Sequence, residues 1–192
     1  FAPNQALAHL DVIPLPGSGA EDVAVDASGA VYTGTREGYL LRISPDGRTI
    51  DRIAQTGGRP LGIEVHPEGW LVVCDAHRGL LRIDPATGTI SELVTAIDGR
   101  PMRFTNNCAV AQDGTIFVIS ELDTAVFALD PSLAVMRGWP YQPAMPLQAR
   151  DATVGGSLVA VGPDGRLYLL SDQGSAIARL PDLLDPGGGT VH

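Results

Sequence analysis

Short apolar runs alternate with turn residues along the chain, in units of similar length. Each unit starts with an apolar run, passes through a tight turn centred on glycine, and returns in a second apolar run, which predicts an antiparallel hairpin. Glycine suits such a turn because it adopts positive φ without steric cost. Successive turn glycines are 40, 45 and 51 residues apart: Gly29, Gly69, Gly114 and Gly165. The pattern therefore predicts one hairpin repeated along the chain.

A third apolar run follows each hairpin and ends at a turn that contains proline and aspartate. The sequence predicts these third strands at residues 39–43, 79–83, 125–129 and 176–180, and fourth strands at 49–53 and 89–94. Units of ~40–50 residues with several short antiparallel strands are typical of the blades of a β-propeller. The predicted fold class is therefore all-β, a β-propeller with four visible blade units.

Two segments lie outside this regular pattern. Residues 7–15 are apolar, and we expect them to form a strand that closes the last blade, because propellers remove a free sheet edge in this way. Residues 138–146 contain three prolines, which indicates a connector rather than a strand.

Charge and hydrophobicity narrow the class of partner. The 192 residues include 22 acidic and 13 basic side chains, a net charge of -9, which disfavours a surface that follows nucleic-acid phosphates or anionic lipids. Hydrophobic residues make up 44% of the chain, yet no apolar run approaches the ~20 residues of a membrane-spanning helix. We expect no nucleic-acid partner and no membrane insertion.

The two cysteines, Cys74 and Cys108, are too few for a disulfide framework. They could approach each other from neighbouring units, but we interpret them as small buried hydrophobic residues in a reducing compartment. The chain begins at Phe1 without a recognisable targeting segment. These features favour a cytoplasmic protein, with a periplasmic or secreted location left open.

Equivalent positions in different blades surround one central axis, so the repeat also predicts chemistry. Counting eight residues back from each turn glycine reaches Glu21, Leu61, Asn106 and Ser157, at the start of the innermost strand of each unit. A carboxylate and an amide oxygen at one axis suit Ca²⁺ and, less well, Mg²⁺ or another divalent cation. We expect Glu21 and Asn106 to be metal ligands, and Leu61 and Ser157 to line the channel.

Each of these polar residues also has an ordinary structural explanation. Glu21 follows a Gly-Ser-Gly-Ala loop, where an exposed acid is common. Asn106 and Asn107 precede an apolar run, where asparagine often forms turns. The shared repeat position favours ligand or substrate contact for Glu21 and Asn106. If a metal binds there, we expect Asn107, the next residue, to contact metal-bound water or the substrate. For Ser157 a loop role is favoured.

Two further residues are candidates at the mouth of the channel. His77 follows a strand and could act as a general base near neutral pH, although a structural role is favoured. Asp75 could line the channel or orient such a base, and tethering of its own loop is the simpler explanation. The sequence contains no Gly-x-Ser-x-Gly elbow, phosphate-binding glycine loop or zinc spacing. Catalysis would therefore depend on a metal that polarises a lactone or ester carbonyl.

Two stretches resemble a known family: Gly-Arg-Pro-Leu-Gly-Ile-Glu-Val-His-Pro-Glu-Gly from Gly58, and Arg-Phe-Thr-Asn-Asn-Cys-Ala-Val from Arg103. They are similar to strictosidine-synthase-like proteins, which belong to the larger group of gluconolactonase and senescence-marker-type propellers. The resemblance covers residues 17–120 and implies a six-bladed β-propeller with calcium at its centre. It also implies ligands from a glutamate in the first blade, an asparagine in the third, and an asparagine and an aspartate in later blades.

Glu21 matches the first implied ligand and Asn106 the second, whereas the two later ligands find no match in this sequence.

Six blades of ~40–45 residues require about 240–270 residues, more than the 192 present. We therefore expect residues 1–192 to be a single propeller domain from which segments are missing after residue 121. The alternatives are a native four-unit propeller and a ring completed by two chains, which leaves the oligomeric state open.

These observations leave three hypotheses for function. The first, which we favour, is a calcium-dependent hydrolase of lactones or esters that acts on a small-molecule substrate. The second is a propeller that binds small molecules or a partner without catalysis. The third is the condensing chemistry of strictosidine synthases, which requires a late-blade glutamate that this sequence does not show.

Overall fold

The computed structural model describes residues 10–102, 104–120, 125–140, 158–161, 167–170 and 177–179, which form strands and turns without a helix. Accordingly, none of these residues belongs to a helix that could span a membrane. The strands pair in sequential antiparallel order within separate sheets, which are the blades of the all-β propeller predicted from the sequence.

Blade 1 contains β1 (Val23–Val25), β2 (Val31–Gly34), β3 (Tyr39–Ile43) and β4 (Ile50–Gln55). Blade 2 contains β5 (Pro60–Val65), β6 (Leu71–Asp75), β7 (Gly79–Ile83) and β8 (Ile90–Val94). A short ribbon of β9 (Ala96–Ile97) and β10 (Arg100–Pro101) leads to blade 3, which contains β11 (Thr105–Val110), β12 (Ile116–Ser120), β13 (Ala125–Leu129) and β14 (Val135–Pro140). In the fourth unit the structure describes β15 (Leu158–Val161), β16 (Leu167–Leu170) and β17 (Ile177–Arg179).

The glycine turns form the predicted hairpins. Gly29, Gly69 and Gly114 have φ angles of 83°, 88° and 89°, in the left-handed region that glycine enters without strain. Each of these glycines donates its N–H to the carbonyl three residues earlier, at 2.8 to 3.0 Å. The third strands β3, β7 and β13 also have the predicted bounds. Gly165 lies outside the described residues.

The prediction of a connector at residues 138–146 is wrong for its first three residues. Residues 138–140 belong to β14, the fourth strand of blade 3, which pairs with β13. Because β14 is the outermost strand of its sheet, its far edge needs no hydrogen bonds and Pro140 is tolerated at its end. The remainder of the predicted connector lies outside the described residues.

The prediction of a closing strand at residues 7–15 is also wrong within the described part of that segment. Residues 10–15 have no strand pairing, and the side chains of Leu10 and Val12 are 65% and 84% exposed. An apolar run forms a strand only where a neighbouring strand offers backbone partners, and no described strand does so here.

Two apolar seams hold the first three blades together. The seam between blades 1 and 2 includes Tyr32 and Leu40 on one side and Ile63 and Leu81 on the other. The seam between blades 2 and 3 joins a second set of buried side chains: Val72, Cys74 and Leu80 from blade 2, and Cys108, Ile116 and Val118 from blade 3. Successive residues of one strand face opposite seams, since Val72 and Val73 belong to different sets. The core therefore lies between the sheets, as in stacked blades.

The outer face of blade 1 is open in the described part of the chain. Val23 and Val25 are 62% and 59% exposed, whereas Ala24 between them is buried toward blade 2. In a closed propeller this face would pack against another blade.

Candidate functional site

The innermost strands of blades 2 and 3 carry irregularities at the same repeat position. The pairing of β5 with β6 shifts register between Pro60 and Ile63, and that of β11 with β12 shifts between Thr105 and Asn107. These shifts leave Leu61, Gly62 and Asn106 out of the regular ladder. A bulge changes the direction of a side chain and is frequent beside functional sites. The bulged residues thus include two of the positions that the repeat predicts to surround the axis.

Blade 1 is joined to blade 2 at this end of the strands by a carboxylate. Asp22 precedes β1, and its Oδ2 accepts a hydrogen bond of 3.0 Å from the backbone N–H of Ile63 in β5. Its Oδ1 accepts from the N–H of Val23 at 2.8 Å. The backbone carbonyl of Asp22 accepts from the Thr33 hydroxyl at 2.7 Å. Asp22 therefore fixes the start of β1 against the innermost strand of blade 2, and Glu21 is the residue that precedes it.

Blade 2 is joined to blade 3 by direct backbone packing. A Cβ atom built on Gly62 would lie 2.5 Å from the carbonyl oxygen of Asn106 and 2.8 Å from the Cα atom of Asn107. Only glycine allows this approach, because a side chain would overlap atoms of the neighbouring backbone. The starts of three consecutive inner strands are thus connected, from Glu21 and Asp22 through β5 to Asn106 and Asn107.

The predicted site residues differ in burial. Glu21 is exposed, Asn106 is buried and Asn107 is half-buried. Leu61 is 1% exposed, so its side chain lies in the packed interior. Ser157 lies outside the described residues. The chain of contacts through Asp22 and Gly62 connects the segments that carry Glu21 and Asn106, and a role for these residues in metal binding stays a prediction.

The donor chemistry at this end of the strands fits a hard cation in type. A Glu21 carboxylate and the amide oxygens of Asn106 and Asn107 are oxygen ligands of the kind that Ca²⁺ takes. Thr105, the neighbour of Asn106, has a fully buried hydroxyl that finds no hydrogen-bond partner among the described residues, which leaves one more oxygen for a ligand or a water molecule. Within the described residues, no group of three His, Cys, Asp or Glu side chains could hold a metal. Besides the Glu21 carboxylate, any site there would depend on amide, backbone or water oxygens.

Asp75 and His77 lie at the same end of blade 2 as the start of β5, because Asp75 pairs with Pro60. The Asp75 side chain is 0% exposed, and its Oδ1 accepts hydrogen bonds from the backbone N–H groups of Arg59, His77 and Arg78 at 3.0, 2.9 and 3.2 Å. Asp75 therefore tethers the segment before β5 to the turn after β6. His77 is exposed in the turn after β6, so its imidazole is open to solvent at that end of the blade.

Glu64, in β5, was not predicted as a site residue. Burial, together with the nearby charge of Asp22, raises the pKa of the half-buried Glu64 carboxyl from 4.5 to about 7. A signal for it was present in the repeat, because five residues before each turn glycine the other three units carry Ala24, Ala109 and Ala160. A carboxyl thus replaces a methyl group at one position of the innermost strands.

The raised pKa of Glu64 predicts a pH-dependent stability in buffer without divalent cations. The folded state binds the Glu64 proton more tightly than the unfolded state, so this contribution is fully present below pH 4.5 and is lost as the pH rises through about 7. Glu64→Gln removes the titrating group. Relative to wild type, we expect the variant to gain about 1–2 kcal/mol of unfolding free energy between pH 5 and pH 8, after allowance for partial exposure. Urea unfolding at both pH values tests this, and equal pH dependence in both proteins would contradict it.

The sequence is similar to strictosidine-synthase-like proteins and to adipocyte plasma membrane-associated proteins. A family profile described as "Strictosidine synthase-like, N-terminal" matches residues 1–43. The adipocyte plasma membrane-associated protein of Salmo salar is 40% identical over an alignment of 101 residues, with a coverage of 44% of this chain and 24% of that protein. The Gallus gallus protein of the same name is 35% identical over an alignment of 129 residues, with a coverage of 59% of this chain and 31% of that protein. Strictosidine synthase-like 6 of Arabidopsis thaliana is 35% identical over an alignment of 103 residues, with a coverage of 50% of this chain and 28% of that protein.

Solved structures show the same fold at low sequence identity. A putative gluconolactonase superposes with a TM-score of 0.70 and 19% identity, covering 92% of this chain and 63% of that chain. Virginiamycin B lyase from Staphylococcus aureus superposes with a TM-score of 0.65 and 17% identity, covering 87% and 54%. The chain spans less than a third of the length of the curated relatives named above.

Proposed function

We propose that this chain is a metal-dependent hydrolase of small lactones or esters, because it is similar in sequence to strictosidine-synthase-like proteins and shares its fold with a putative gluconolactonase. The observation that supports this most is the connection of three inner-strand starts through Asp22 and Gly62. It joins the segment that carries the Glu21 carboxylate to the segment that carries the Asn106 amide. Calcium is the proposed cation, and a small molecule is the proposed substrate.

Glu21 and Asn106 would hold the cation, with further oxygens from the backbone or water, since two side chains are fewer than the six to eight oxygens that Ca²⁺ takes. A divalent cation bound there would polarise a lactone or ester carbonyl and stabilise the negative charge that develops on its oxygen. The Asn107 amide, which follows Asn106 on β11, would donate a hydrogen bond to the substrate. His77, exposed at the same end of blade 2, would accept a proton from the attacking water.

The proposal predicts that calcium stabilises the folded protein. Binding to the native state alone adds about 2.7 kcal/mol when the ligand is at 100 times its Kd, which raises the Tm by several degrees. We expect this rise for wild type in millimolar calcium, and its loss in the Glu21→Gln and Asn106→Ala variants. Asp51→Asn, an exposed carboxyl on β4 of the same blade as Glu21, is the matched control and should keep the full response.

Hydrolysis is measured on the same four proteins. Hydrolysis of a panel of small lactones and aryl esters is followed by the protons it releases. This activity should require calcium in wild type and Asp51→Asn, and it should fall together with the calcium-induced rise in Tm in Glu21→Gln and Asn106→Ala. Calcium binding without hydrolysis of any substrate would favour the alternative, a propeller that binds small molecules without catalysis. No effect of calcium on Tm or activity would contradict the proposed metal site.

A further inference from the structure

Cys74 and Cys108 lie together in the seam between blades 2 and 3. Cys74 is on β6 and Cys108 is on β11, and both belong to the set of buried side chains that joins the two sheets. Their side chains are 0% and 3% exposed. The two thiols are within hydrogen-bond reach of each other, and neither is in a disulfide. The sequence left two alternatives for the cysteines, and their shared place in this seam favours the one in which they approach each other.

The positions of the two cysteines suit a bond between sheets rather than within one. Cys74 is paired with Leu80 inside blade 2, and Cys108 is paired with Val118 inside blade 3. A bond between the sulfurs would therefore add a covalent link between two blades that are joined here by packing and by the hydrogen bond from the Phe104 N–H to the Ala76 carbonyl. The chain contains two cysteines in total, so no other intramolecular pairing competes.

We propose that Cys74 and Cys108 form a reversible disulfide that ties blade 2 to blade 3. A small-molecule disulfide serves as the oxidant. One cysteine thiolate attacks it, forms a mixed disulfide and releases the first reagent thiol; the second cysteine then attacks the protein sulfur and releases the second. The two cysteines lose two protons and two electrons, and the reagent disulfide gains them as two thiols. This inference does not depend on the proposed hydrolase activity.

The environment of the pair determines when the bond can form. The hydrogen bond with Cys74, together with burial, raises the pKa of the Cys108 thiol, which leaves little reactive thiolate in the folded protein. Reagents also have no direct access to two buried sulfurs. We therefore expect the bond to form readily during folding and slowly once the blades have packed.

The test is refolding in a glutathione redox buffer. Reduced protein is unfolded in urea and diluted into buffer that contains reduced and oxidised glutathione, then treated with an alkylating reagent under denaturing conditions and weighed by mass spectrometry. We expect loss of both alkylation sites, a mass about 2 Da below the fully reduced chain, and migration as a monomer without reductant. The oxidised protein should melt at least about 5 °C above the reduced protein, because the bond closes a long loop of the unfolded chain.

Single variants provide the control. Cys74→Ser and Cys108→Ser each leave one cysteine, so neither should form the internal bond, and neither should gain Tm on refolding in the redox buffer. Two alkylated thiols in refolded wild type would overturn the proposal. So would a disulfide that links two chains, or an internal disulfide that lowers the Tm, because each would show that the folded blades do not hold the sulfurs in a bonding position.

Discussion

Replacing Asp75 with alanine is expected to lower the free energy of unfolding by about 3–4 kcal/mol. The reason is that three backbone N–H groups, at the end of blade 2 where β5 starts and β6 ends, lose a charged acceptor. The Asp75 carboxylate is 0% exposed, and it joins Arg59 at the entry of β5 to the turn after β6. Water cannot easily replace it at this depth, so the donors would remain unsatisfied. Urea unfolding at 25 °C measures the loss directly.

Asp84 offers a matched control for this variant. It occupies the turn after β7, where its Oδ1 accepts from the N–H groups of Ala86 and Thr87 at 2.8 and 3.2 Å. Because both donors are exposed, water can replace the carboxylate in Asp84→Ala, and the loss should be clearly smaller than for Asp75→Ala. Equal losses in the two variants would show that burial of the Asp75 carboxylate is not what makes it important.

Replacing Gly62 with alanine is expected to destabilise the protein by about 2–3 kcal/mol and to move β5 away from β11. The added methyl group would lie 2.5 Å from the Asn106 carbonyl oxygen and 2.8 Å from the Asn107 Cα atom. Both are backbone atoms, so neither can turn aside as a flexible side chain would. Calcium-induced stabilisation should decrease in the same variant, since the strand that carries Asn106 is displaced.

Gly69→Ala separates this effect from the general cost of replacing a glycine. A Cβ atom at Gly69 would meet nothing within 4 Å, but its φ of 88° is unfavourable for alanine. We expect a loss of roughly 1 kcal/mol from the backbone conformation alone, with the calcium response unchanged. A normal calcium response in Gly62→Ala would contradict the proposed dependence of the site on close packing of β5 and β11.

Strand positions were largely predictable because each boundary has a local signal. Glycine at φ of 83° to 89° closes each described hairpin, and proline with aspartate ends each third strand, so β3, β7 and β13 have the predicted bounds. β14 was missed because Gly138, Trp139 and Pro140 carry the composition of a loop. Its strand conformation depends on the partner strand β13, which a local pattern does not include.

The repeat position of the candidate site was accessible from the sequence, whereas the contacts around it were not. The repeat alone selected the starts of the inner strands, where the structure places the bulges at Leu61 and Asn106. It could not predict the hydrogen bond from Ile63 to Asp22, because that bond depends on how one blade is rotated against the next. Glu64 was accessible from the sequence by comparing equivalent positions, since its three counterparts are alanines.

Crystals grown with and without calcium provide the most direct measurement, because they locate the cation and its ligands together. We expect calcium-dependent electron density at the starts of the inner strands, with side-chain oxygens of Glu21 and Asn106 about 2.3–2.6 Å from its centre. Density at another place, or side-chain oxygens of Glu21 and Asn106 that face separate regions with no cation between them, would contradict a shared metal site.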